Sequence, residues 1–325
     1  MSNARGDEAQ LLSRIQSAFG TAEVATDGNF YALPFYSCNT SPSQELNEDE
    51  AIYGDAFPGD AVGGLQNLSG NMVVPMGLNS IGWHLRSILG APVTTEITAG
   101  KHQHVFTAGA LPGLQYMTQC LSHRRVDQHF VQDSLVATSF EVQARKNSER
   151  ARATMNMIGR AEVPVAATLD ATPVSYAVDP VPVGFAGKCL VGTTETAAIT
   201  GASLTLNSGN EADQETLNGL PTAAAIDWGR WSVTGSLDAR FRDRVWYDRA
   251  LNGEAIDLAL TWSVSADYSL ELRCPSVRIE RTGIPVEGRG IISSSFSLRA
   301  NRPVAGASLF TATLKNTVDT YANPV

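Results

Sequence analysis

Two histidines spaced one apart, in His102-Gln103-His104, are the residues most suggestive of chemistry. On a strand, alternation puts both imidazoles on one face, where they could hold a metal if carboxylates converged. His84, His123 and His129 are further candidates. A metal site also needs a third ligand and outer hydrogen bonds, so histidines packed or bonded at a strand edge are the simpler reading. Gly184-Phe185-Ala186-Gly187-Lys188 has phosphate-loop residue types, but the GxxxxGK[ST] spacing is absent and Cys189 follows. No GxSxG elbow or HExxH occurs. Trp228, Trp231, Trp246 and Trp262 could stack on sugar rings; their commoner use is as core or interface anchors. Arg240, Arg242 and Arg244 are interleaved with Asp238, Asp243 and Asp248, a pattern of a salt-bridged interface more than of a nucleic-acid site. The expectation is a protein with no catalysis, no metal and no cofactor.

Composition points to assembly. The chain has 325 residues, a net charge of −9, 43% apolar residues and 18% charged residues. The charged share is below the usual ~25%, so much of the surface is expected to be covered by other chains. An acidic chain is poorly suited to gripping phosphates, although it could let DNA pass. Cys38, Cys120, Cys189 and Cys274 are far apart, which argues against a zinc site or a disulfide framework. The N-terminus carries Asp7 and Glu8 and lacks a signal-peptide core, and no stretch reaches the ~18 apolar residues of a membrane span.

The elements that would position these residues are mostly strands. Residues 8–19 have a helical pattern in Leu11, Leu12, Ile15, Ala18 and Phe19. Residues 39–70 are expected to form a long loop, and 72–76 a short strand. Asn79 or Ser80 then caps a helix with Ile81, Leu85, Ile88 and Leu89 on its apolar face, stopped by Gly90. Strands are expected at 102–106, 114–120 and 135–145, with Val136, Thr138, Phe140, Val142 and Ala144 sharing a face. A returning strand carries Ala153, Met155 and Met157. The proline-rich stretch 162–187 reads as a linker or an edge crossing. Further strands follow at 199–206, 231–241, 256–264, 270–274, 291–300 and 308–315, with a short helix at 245–251.

The second half copies the first in element order. Ser139–Ala144 matches Ser295–Ala300, Met155 falls beside Phe310, and Cys120 beside Cys274, all at offsets near 155. A tandem duplication accounts for this spacing. It divides the chain into a first domain, 1–165, with an N-terminal arm and the loop 39–70, and a duplicated second domain, 166–325.

The ordered motifs resemble the major tail protein, or tail tube protein, of long-tailed non-contractile bacteriophages. They are Gly63-Gly64, Val73-Val74-Pro75, the run Ile81–Thr95, His102–Phe106 and Leu111-Pro112-Gly113-Leu114. In the second half they are Leu272-Arg273-Cys274-Pro275, Pro285-Val286-Glu287-Gly288, Ser295–Ala300 and Leu314-Lys315-Asn316-Thr317. The resemblance implies a mainly β fold of two tandem tail-tube-type β-sandwich or barrel domains, each with a short α-helix. It implies a structural virion protein whose rings stack into a hollow tube, through which DNA passes on ejection. The ring would be a trimer with pseudo-sixfold symmetry, or alternatively a hexamer. Its partners would be further copies, a tail terminator, a tape measure and distal tail proteins, with no membrane. The protein would reside in the virion tail after assembly in the host cytoplasm.

Within that resemblance, the polar face of the long hairpins supplies lumen candidates: Ser139, Glu141, Gln143 and Asn156, with Ser297, Arg299 and Thr311 in the second copy. Arg299 is expected to pair with a carboxylate. Glu45, Glu48, Asp49, Glu50, Asp55 and Asp60 are candidates for ring stacking. The alternative from another class is a carbohydrate-binding β-sandwich of an adhesin or tail fibre, using the tryptophans.

Overall fold

The computed structural model describes residues 3–109, 114–176, 178–196, 199–286, 288–303 and 307–324. Leu111-Pro112-Gly113 and Glu287, quoted above for the resemblance, lie outside the described residues. The first half contains β1 (Ala9–Ile15), β2 (Tyr31–Leu33), β3 (Ser37–Cys38), β4 (Ser41–Glu48) and β5 (Ala61–Pro75). The helix α1 (Ile81–Leu89) follows, then β6 (Val93–Thr98), β7 (Lys101–Thr107) and β8 (Met117–His123). The long β9 (Gln128–Arg145), β10 (Arg152–Gly159) and β11 (Ala161–Val165) complete it. The second half begins with β12 (Gly187–Val191), β13 (Thr194–Glu195), β14 (Ile199–Asn207), β15 (Glu211–Asp213), β16 (Ala225–Asp227) and β17 (Ser232–Arg240). After α2 (Val245–Asn252) come β18 (Ile256–Ser263), β19 (Ser269–Ile279), β20 (Ser293–Ala300) and β21 (Thr311–Asn316).

The protein is mainly β, built of large antiparallel sheets that do not close into a barrel. Strand order is the same in both halves. The first half pairs β2-β1-β8-β9-β11 through the start of β9, and β9-β10-β5-β4 through its end. The second half pairs β13-β12-β18-β19-β21 and β19-β20-β17-β14 in the same way. One rung runs Val136, Ile158, Ser69, Ser41; its counterpart runs Arg278, Arg299, Thr234, Thr205. On the next rung lie Gly70 and Gly235. A Cβ on Gly70 would sit 2.4 Å from the Asn39 carbonyl oxygen, and one on Gly235 2.1 Å from that of Ser203, so both positions require glycine for the same close approach. These pairings match β10 with β20 and β9 with β19. The sequence spacing instead set β9 against β20, one strand out of step, because alternating strands of similar length align equally well in either register.

Several other expectations change. Residues 9–15 form a strand, since neighbouring Leu11 and Leu12 face different cores, Leu11 the main one and Leu12 a smaller cluster with Phe30, Cys120 and Val131. Burial on both strand faces imitates a helical stripe in sequence. Residues 39–70 are no loop: β4 and β5 form a long, exposed hairpin closed by a turn at 49–60. In β9 a bulge between the Ala137 and Ser139 pairings shifts the register, so Leu135 and Ala137 join Phe140, Val142 and Ala144 in the main core, whereas Thr138 does not and Val136 is buried outside that cluster. Of the proline-rich stretch, 161–165 is an edge strand that carries Pro164.

The halves are joined by strand pairs as well as by chain. β14 pairs with the end of β9, and β21 with β7 of the hairpin inserted after α1. One connected apolar core extends from Leu11 through Trp262 to Tyr321. The helix α1 is held from a distance. Asp179 accepts the Asn79 N–H at 2.8 Å, the Ser80 N–H at 3.2 Å and the Ser80 hydroxyl at 2.6 Å, so the expected Ser80 cap is supplied by the carboxylate instead. The C-terminal tail covers the same region, with the buried Tyr321 hydroxyl donating to the Asn79 carbonyl at 2.7 Å. α2 is capped locally, by Asp243 on the Val245 N–H at 3.0 Å.

Asp179→Ala should lower stability by about 1–2 kcal/mol, read from the thermal midpoint, and cost more than Asp243→Ala. The wholly buried His84 provides a second test. Burial holds its imidazole down to about 4, and burial also lowers His104. The unfolded chain gains a proton below about pH 6.5 that folded His84 refuses until about 4, so stability falls as pH drops through that window, by up to about 3 kcal/mol from His84. His84→Gln should flatten that part of a plot of thermal midpoint against pH.

Candidate functional site

The residues with chemical potential are dispersed and packed. His104 is buried, with Nδ1 2.8 Å from the Thr94 hydroxyl and Nε2 2.9 Å from the Val318 carbonyl. His129 lies 2.8 Å from the Ser122 hydroxyl. Among the described residues no three His, Cys, Asp or Glu side chains converge on a metal-sized site. All four cysteines are free, and burial pushes the Cys189 and Cys274 thiols up to about 12, which makes them unreactive apolar groups. Lys188 pairs with Glu195 at 2.9 Å, away from any phosphate cradle. Trp246 and Trp262 are buried and Trp231 packs on the core, so of those four tryptophans only Trp228 exposes its ring. One ring cannot form a sugar-stacking platform.

What the fold does assemble is a polar sheet face. The order β4-β5-β10-β9-β14-β17-β20 is continuous across both halves. On β5, β10, β14, β17, β20 and the part of β9 after its bulge, alternate residues enter the core, as with Met155, Phe140, Leu204, Leu237 and Phe296, and those between them face outward, while β4 is exposed along its length. Ser139, Glu141, Gln143, Asn156, Ser297 and Arg299 all lie on this outward face. Asn156 donates to the Ser139 hydroxyl at 2.8 Å, and Gln143 to Glu141 at 3.1 Å. Thr311 is not with them. It pairs with Arg273 and Thr107, in the other sheet of the second half. Arg299 has Thr234 and Arg278 as cross-strand neighbours, and among the described residues no carboxylate pairs with it.

Sequence reasoning missed the middle of this face: Ser203, Thr205 and Asn207 on β14, opposite Gln143, Glu141 and Ser139, and Thr234 and Ser236 on β17. The Ser203 and Ser236 hydroxyls meet at 2.8 Å. The signal was present as polar alternation along 201–207 and 232–238, and the missing fact was that β14 abuts β9.

Charge is segregated to the two ends of the sheet. The β4–β5 hairpin carries Glu45, Glu48, Asp49, Glu50, Asp55 and Asp60 with no lysine or arginine, and all six are exposed. The connection between β14 and β17, which answers the tip of that hairpin and contains β15–β16, carries Glu211, Asp213, Glu215 and Asp227, also with no cation. At the opposite end stand exposed Arg145, Lys146, Arg150, Arg152, Arg240, Arg242 and Arg244. Arg145 lies 3.8 Å from Asp238, and Arg244 3.8 Å from Asp248. Between these ends the face carries few charges.

The arrangement is that of a building block, with a sparsely charged polar sheet, two charged ends and, among the described residues, no cluster of metal-ligating side chains. A comparison with curated proteins gave no match. The profile of the family described as phage tail tube protein matches residues 6–300. Because that match takes in both halves and the whole polar sheet, the chain belongs to the phage tail tube protein family and is a structural protein of the phage tail.

Proposed function

We propose that copies of this chain join head to tail into a closed ring, that rings stack into a hollow tube, and that DNA passes through a lumen lined by the polar sheet. The observation that carries this reading is the junction between the halves. There, 139–145 of β9 pair with 201–207 of β14. Carried through the repeated strand order, the corresponding stretches are 281–286, which follow β19, and 37–43, in β3 and β4. Among the described residues neither stretch has a strand on its outer edge. An outgoing edge at one end of a chain and a matching incoming edge at the other define a heterologous contact, which closes into a ring when the rotation allows. Closure removes the edges that would otherwise aggregate.

If the two halves are copies of one β domain, divided near 165, three chains give six equivalent domains, a trimer with pseudo-sixfold symmetry; a hexamer is the alternative. The sparse charge on the polar face suits a wall that DNA slides past without phosphate contacts. The −9 net charge sits largely on the hairpins rather than on that wall, which changes the role expected of it. Acidic hairpins at one end and arginines at the other support stacking of each ring on the next. The tail terminator, tape measure and distal tail proteins would meet the tube's ends, in a non-contractile virion tail assembled in the host cytoplasm.

Electron microscopy of purified protein should reveal hollow tubes with threefold symmetric rings; sixfold rings of whole chains would refute the trimer. Replacing 47–62 by an Asn-Gly turn between Leu46 and Gly63, which are cross-strand partners, should leave a folded protein whose rings do not elongate. Normal tubes from that variant would overturn the stacking role. Elongation should also slow as salt rises from 0.05 to 0.5 M, roughly a threefold shorter screening length.

A further inference from the structure

We propose that the first residues of each chain, up to Glu8, strap across the second half of the neighbouring chain, over Ile292 and beside the groove that precedes α2. The proposal rests on the ring reading and adds a second contact to its strand junction.

The pattern is visible inside one chain. The segment before β12 crosses the first half, where the Pro182 carbonyl accepts the Ala151 N–H at 2.8 Å and the Pro180 carbonyl accepts the Leu78 N–H at 2.9 Å. The Gly184 N–H donates to the Glu149 carbonyl at 2.8 Å. A 3-10 turn, Gly184–Ala186, then leads directly into β12. An equivalent turn, Gly6–Glu8, leads directly into β1, the counterpart of β12. Counting back from the two turns, Ala4 takes the place of Pro182. Residues 3–8 are exposed along their whole length.

The receiving surface repeats as well. In the first half the Met76 N–H donates to the Ala151 carbonyl at 3.0 Å; in the second the Phe241 N–H donates to the Ile292 carbonyl at 2.9 Å. Ile292 is therefore the counterpart of Ala151. No described residue accepts the Ile292 N–H, the donor whose counterpart Pro182 satisfies. The surroundings differ in the same sense. Met76 and Ile81 are 0% exposed beneath the strap, whereas their counterparts Phe241 and Val245 are 39% and 47% exposed. Both line a groove of about 500 Å³ that also includes Trp246, Ile284 and Phe296. Apolar side chains lining an open groove beside an unpaired backbone donor are what a strap would leave behind if it belonged to another molecule. The neighbour's N-terminal segment is the one stretch of chain that the repeat brings to this place. It need not bring a capping acid, because Asp243 already caps α2 where Asp179 of the strap caps α1.

The test is disulfide cross-linking within assembled tubes, on a Cys38→Ser background, because the other three cysteines are buried. The pair Ala4→Cys with Ile292→Cys probes the strap, and Ser43→Cys with Arg281→Cys probes the strand junction. On oxidation both pairs should give covalent multimers up to the full ring on a non-reducing gel. Multimers from the junction pair alone, or an Ala4–Ile292 link confined to single chains, would overturn the strap and leave the ring standing. Intact tubes in which neither pair links would overturn both. Removing residues 1–5 should raise the protein concentration needed for assembly about tenfold, as the loss of one buried hydrogen bond and some apolar contact would. An unchanged threshold would also overturn the strap.

Discussion

An antiparallel sheet leaves a row of unpaired N–H and C=O groups along each outer strand, and a soluble protein must pair those rows or block them. Most of this architecture follows from where the rows end. Within the chain, the end of β9 meets β14, so two four-stranded sheets become one surface with a common polar face and a common core. The outer row on β3–β4 has no such partner among the described residues, and 281–286, which continue from β19, lie outside any strand. The backbone chemistry that joins the halves is therefore left unused along the β3–β4 edge.

The two halves share strand order but not decoration. The β6–β7 hairpin occurs only in the first half, where β7 reaches across to pair with β21. The C-terminal tail also returns to the first half, where Tyr321 is buried against α1 and Asn323 accepts the Ile15 N–H at 2.7 Å. Such additions add contacts between the halves, and α1 is more buried than α2. These differences between the halves favour contacts within the chain around α1 and leave more exposed surface around α2.

Much of the fold was legible from residues. The two helices, the glycine stop at Gly90, and most strands were foreseeable because local periodicity and turn chemistry set them. The polar parity of β9, β10 and β20 was readable for the same reason. Two kinds of error had physical causes. Leu11 and Leu12, buried on opposite faces, imitate a helix, and the exposed polar hairpin at 41–66 lacks the apolar alternation that marks a strand. The bulge near Thr138 escaped notice because a single extra residue changes parity without changing composition.

The sequence by itself determined the class of this protein, mainly β with two short helices, since strand alternation and helix stops depend on residue type and short-range spacing. Only the tertiary structure decided which strands correspond, because registers one strand apart have nearly the same alternation and are distinguished by backbone partners such as those of Gly70 and Gly235. It also decided where the charge lies. Two cation-free acidic stretches, 45–60 and 211–227, come to one end of the sheet and the exposed arginines at 145–152 and 240–244 to the other, by strand directions that no local pattern encodes.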